Sequence, residues 1–131
     1  MAEDIKEKTR QTAALYFKGV SGEKPYDLWK AFDPELAREL SLFITGRMYA
    51  RERIPHTTRQ LVTVAVLTVL GRTEELELHI KAALNVGCEP LQVAEAVFQT
   101  FTYAGIPTVN QALKVLRRVL EEKGLWPLDR Q

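Results

Sequence analysis

The ten residues from Leu61 to Leu70, LVTVAVLTVL, constrain this chain more than any other stretch. Laid on a helix they are apolar on every side, broken only by Thr63 and Thr68. A helix of that kind is expected to be buried all round. It is too short to cross a bilayer, which takes about 20 apolar residues. Gly71 ends the run, and a second helix is predicted from about Thr73, with Glu75 and His79 on one face and Gly87 as its closing residue. The remaining sequence reads as packing around this helical pair.

The punctuation on either side fits helices alone. Residues 2 to about 18 predict a helix, and Ile5, Leu15, Tyr16 and, just beyond it, Val20 make a weak apolar stripe. Gly22 and Pro25 break it, and residues 26–31 predict a short helical turn bearing Trp29. Asp33-Pro34 has the N-cap and N1 chemistry of a helix start, and the pattern from there runs to about Ala50. Thr57 and Gln60 have capping-box spacing. Pro90 opens a further helix through Tyr103 and Ala104, and Ile106-Pro107 opens the last, in which Ala112, Leu113, Leu116, Val119 and Leu120 recur at helical spacing before Gly124. No alternating strand pattern occurs. The expectation is an all-α, single-domain bundle of five to six helices spanning residues 1–131. So apolar a central helix, the apolar face of the last helix and the aromatic N-terminal region with Tyr16, Tyr26 and Trp29 together predict a homo-oligomer.

Composition excludes several functions. The 131 residues carry a net charge of +1 with both signs scattered, so nothing marks a nucleic-acid or anionic-membrane surface. One cysteine, Cys88, excludes an intrachain disulfide and a CxxC redox pair. MAEDIKEKTR has no apolar signal core, and a cytoplasmic protein is expected. No His, Cys, Asp and Glu cluster has metal-ligand spacing, and no glycine loop would cradle a phosphate, so neither a metal nor a cofactor is expected.

His79 is the leading candidate for chemistry. Leu76, Ala83 and Val86 surround it at helical spacing, so it projects from an apolar face. Glu75 lies one turn earlier, where a carboxylate would favour the charged ring while burial opposes it. Such a pair suits general acid–base work near neutral pH; the competing reading is a histidine fixed in a packing interface. Gln60 offers a hydrogen bond to a substrate carbonyl or carboxylate, or else a cap. Arg72 offers a guanidinium for an anionic group, or a solvated charge in the Gly71 turn. Tyr103 offers a hydroxyl to a pocket or to a backbone group. Cys88 is either a small apolar packing residue or a thiol near a helix N-terminus, where the dipole favours thiolate.

The stretches TRQLVTVAVLTVLG (58–71), ELELHIKAALNVG (75–87), EPLQVAEAVFQTFTYAGIP (89–107) and QAL (111–113) resemble the carboxymuconolactone decarboxylase family, which includes the alkylhydroperoxidase D proteins. The similarity covers about residues 31–124 and leaves the first helix, 1–20, outside it. The resemblance implies an all-α fold and ring-like homo-oligomers, often hexamers built as trimers of dimers. It also implies that the peroxidase branch's two cysteines fall here at Arg72 and Glu75, its histidine at His79 and its upstream glutamate at Gln60. A thiol peroxidase needs an attacking and a resolving sulfur, and this chain lacks the pair. The decarboxylase branch lacks those cysteines and keeps the histidine, although it usually has Glu where Gln60 stands. The activity expected from the resemblance and these residues together is that of a cofactor-independent decarboxylase or related lyase on a small carboxylated lactone or oxo-acid, with His79 and Glu75 as acid/base residues and Gln60, Arg72 or Tyr103 holding the substrate. A redox protein using Cys88 and a non-catalytic oligomeric binder are the alternatives.

Overall fold

The computed structural model describes residues 2–129. Its elements are α1 (Ala2–Phe17), α2 (Pro25–Phe32), α3 (Pro34–Phe43), a π-helical continuation of α3 (Ile44–Tyr49), α4 (His56–Leu70), α5 (Thr73–Asn85), α6 (Pro90–Gln99), the four-residue α7 (Phe101–Ala104) and α8 (Ile106–Glu122). Among the described residues no strand occurs and no helix is long and apolar enough to cross a membrane. The seven helices of eight residues or more among the described residues exceed the expected five to six. The short turn at 26–31 is a full helix, and the element opened by Pro90 is interrupted at Thr100, whose hydroxyl donates to the Val97 carbonyl at 2.7 Å. The chain forms two compact units, one up to Pro55 and one from His56.

The first unit has a thin core of Thr12, Tyr16, Ala37, Gly46 and Ala50. Asp33 caps α3 by accepting the Leu36 amide at 3.0 Å, as Asp33-Pro34 predicts. Tyr16 is fully buried, and its ring lies 5.4 Å from that of Tyr49. The π-helical stretch, with Ala50 N–H donating to the Thr45 carbonyl, packs on α1 at Gly46. A methyl group there would run into the Thr9 hydroxyl and come within 3.3 Å of the Ile5 carbonyl oxygen. That hydroxyl is itself bonded to Ile5 O at 2.6 Å. Gly46→Ala is therefore expected to destabilise the protein by about 1–3 kcal/mol. Urea denaturation checks this, and adding Thr9→Ala should recover part of the loss. Helix α2 buries no residue at all, and Phe32 is 85% exposed.

In the second unit α4, α5, α6 and α8 enclose the main core of Val64, Leu76, Ile80, Ala83, Val93, Val97, Val115, Leu116, Val119 and Leu120. Each large aliphatic side chain buried there contributes about 1.5–3 kcal/mol. The turns are set by glycines at positive φ. At Gly71, its N–H donates to Thr68 O and Arg72 N–H to Leu67 O; at Gly87, its N–H donates to Leu84 O and Cys88 N–H to Ala83 O. This paired closure satisfies carbonyls that a helix end leaves open, and it needs a residue without Cβ at the left-handed position. Arg118 of α8 pairs with Glu77 of α5, joining the two helices, Lys81 pairs with the same carboxylate within α5, and the Arg118 guanidinium is the main cause holding that carboxyl below its usual range.

Helix α4 corrects one expectation. Within a single chain only the face bearing Gln60, Val64 and Thr68 is buried. Val62, Val66, Val69 and Leu70 are exposed. Its all-round apolarity exceeds what its own unit covers.

Candidate active site

The antiparallel pairing of α4 and α5 brings Gln60 against His79. His79 Nδ1 lies 3.0 Å from Gln60 Oε1. Gln60 occupies the core-facing row of α4 and is 0% exposed. Its Nε2 is buried and makes no hydrogen bond to the described residues. Gln60 does not serve as a cap, because α4 already begins at His56 and Thr57 lies within its first turn.

His79 is largely buried, and burial alone drives its pKa from 6.5 down to about 4. The ring is therefore neutral at pH 7. A neutral ring facing a carbonyl-type acceptor through Nδ1 carries its proton there, and Nε2 becomes the acceptor nitrogen. Burial prevails here because Glu75 does not engage His79. Glu75 is exposed and makes no hydrogen bond or ion pair among the described residues. The geometry of α5 explains the split. Glu75 lies in the exposed first turn of α5, beside Arg72 and Glu74, whereas His79 lies one turn further along, between buried Leu76 and Ile80.

The other candidates lie apart from this pair. Arg72 is exposed at the N-cap of α5, about 10 Å along the axis from His79 by helical rise. Tyr103, in α7, is 80% exposed. Cys88 is 4% exposed, its thiol donates to the Thr57 carbonyl at 3.4 Å, and burial pushes its pKa up. The dipole-lowered thiolate considered from sequence is thus not what this residue presents. Neither of two surface cavities is lined by His79 or Gln60. One, of about 380 Å³, lies against Phe98, Leu113 and Trp126; the other, of about 570 Å³, lies against Phe43, Gly46 and Arg47. No group of three or more His, Cys, Asp or Glu among the described residues could hold a metal ion.

The direct partnership of Gln60 with His79 is the feature that sequence reading missed. The two are 19 positions apart, and the available signal was a buried amide on an apolar helix joined to its neighbour by a two-residue turn. Such an amide requires a partner across the hairpin.

Comparison with known proteins agrees with this architecture. The Carboxymuconolactone decarboxylase family profile matches residues 34–118. A 4-carboxymuconolactone decarboxylase of Acinetobacter baylyi is 34% identical over 96 residues, covering 73% of this chain and 72% of that protein. An uncharacterised 15.0 kDa protein of Paracoccus denitrificans is 31% identical over 60% of each chain. A nitrosuccinic acid decarboxylase of Metarhizium robertsii is 27% identical, over 59% of this chain and 54% of its own. With a profile match over more than half its length and a relative aligned over nearly three-quarters of it, the chain belongs to the carboxymuconolactone decarboxylase family.

Proposed function

We propose that this protein is a cofactor-independent decarboxylase of a small carboxylated lactone or oxo-acid, with His79 as the proton carrier. The observation that carries the reading is His79 itself, a largely buried, neutral imidazole held by a buried amide, in a family with relatives named as decarboxylases. The electron pair left by departing carbon dioxide must move into a sink such as a conjugated carbonyl. A nitro group serves equally, which brings nitrosuccinate into the substrate class.

The step balances without an oxidant. An anionic carboxylate bound beside the ring favours its protonation, and water supplies that proton to Nε2. The carbon–carboxylate bond breaks, carbon dioxide leaves, and the pair enters the sink. The imidazolium then returns the proton to carbon and is neutral again. One solvent proton is consumed per turnover. Peroxide reduction through Cys88 is disfavoured by its burial and its raised pKa.

A homo-oligomer completes this reading. The bare row Val62, Val66, Val69 and Leu70 on α4 supports it, as do the unburied aromatics of α2. Sedimentation should return a multiple of 14.9 kDa, and a monomer at micromolar concentration would refute the assembly. Carbon dioxide release from 4-carboxymuconolactone, nitrosuccinate and a panel of oxo-acids tests the activity. Release from at least one acid without added metal or cofactor is expected; release from none would remove the decarboxylase reading.

A further inference from the structure

We infer that Gln60 is the positioning residue of His79, locking the ring in the form that carries its proton on Nδ1 and presents the Nε2 lone pair. The role is distinct from holding substrate, and it falls to an uncharged side chain on the neighbouring helix rather than to Glu75 on the same one.

Three observations carry it. Gln60 Oε1 lies at hydrogen-bond distance, 3.0 Å, from Nδ1. An amide oxygen only accepts, so the shared proton belongs to the ring. Gln60 is fully buried in the row it shares with Val64 and Thr68, so core packing fixes its rotamer. Finally, Glu75 is exposed and makes no polar contact with the ring. A carboxylate in Gln60's place would also accept the Nδ1 proton, but it would add a charge that favours imidazolium. The amide orients the ring while leaving it neutral, so that the proton arrives only with an anionic ligand. Gln60 Nε2, which finds no partner among the described residues, marks the cost of the arrangement: an unmet buried amide hydrogen is tolerated to aim the oxygen at His79.

The test reads the ring directly. Long-range 1H–15N spectra of the 15N-labelled protein at neutral pH report which nitrogen of His79 is protonated. The Nδ1–H form is expected in the native protein. Gln60→Leu, which keeps the volume and removes the acceptor, should return the ring to the Nε2–H form that unconstrained imidazole favours. Gln60→Glu should keep the proton on Nδ1 and shift the ring's titration upward. A native ring in the Nε2–H form would overturn the inference, since the amide would then be reversed with its nitrogen donating to Nδ1. So would a tautomer that responds to Glu75→Gln and not to Gln60→Leu. The native measurement stands even if a variant fails to fold.

The activity arm rests on the decarboxylase reading. There Gln60→Leu is expected to lower kcat by about 10–100-fold, the usual size of a lost orienting partner. The two ideas fail separately. A locked Nδ1–H ring in a protein that releases no carbon dioxide would support the positioning and sink the decarboxylase reading. Turnover that persists undiminished in Gln60→Leu, with the tautomer unmoved, would do the reverse.

Discussion

Replacing His79 with glutamine is expected to lower kcat/KM for carbon dioxide release by about 10²–10⁴-fold while the fold survives, the range usually lost with a positioned acid or base. Glutamine retains a polar side chain toward Gln60 and loses only the titrating ring, so circular dichroism and assembly size should match the native protein. The pH profile adds a second readout. If the reactive form is imidazolium, kcat/KM reports the free enzyme, whose ring titrates at about 4. The native kcat/KM should therefore fall about tenfold per pH unit on going from pH 5 to 8, because the protonated ring becomes scarcer at that rate. The residual activity of His79→Gln should lack this slope. Undiminished turnover in the variant would move the proton transfer to another group.

The two sides of this protein differ in how much of them could be read in advance. Helix boundaries were legible because their causes are local. Asp33 caps the amide three residues on, Glu89 N–H is met by Gln92 at 2.9 Å, and Gly71 and Gly87 close helices through bonds spanning three to five residues. The close packing at Gly46 was not legible, because Thr9 and Ile5, which a side chain there would meet, lie far earlier in the chain. Helix α4 misled for a different reason. Periodicity reports that a surface is apolar, but not whether its own chain covers it, and Val62 and Val66 lie open. At the site, His79 stood out by residue type and apolar surroundings. Its partner did not, because the eye goes to the carboxylate at i−4, whereas the decisive neighbour is an amide across a helical hairpin.

Acidification supplies the other large effect, one that needs no substrate. In the folded protein His79 titrates at about 4, against 6.5 for an ordinary histidine. Between these values the unfolded chain binds a proton that the folded one refuses. Stability therefore rises with pH across the window, and falls as pH drops from 6.5 toward 4. Above 6.5 the ring is neutral in both states and contributes no pH dependence; below 4 the full penalty is reached. The shift corresponds to about 3 kcal/mol, a large fraction of the stability of a domain this size. Urea unfolding at intervals between pH 7.5 and 4, run in parallel on the native protein and His79→Gln, isolates the effect. The lowered Glu77 carboxyl is common to both proteins and largely cancels. The native protein should lose about 3 kcal/mol more than the variant over that range. Parallel curves would mean that His79 accepts a proton in the folded state as readily as in the unfolded one. That result would remove the neutral, buried ring on which the proton-carrier role depends.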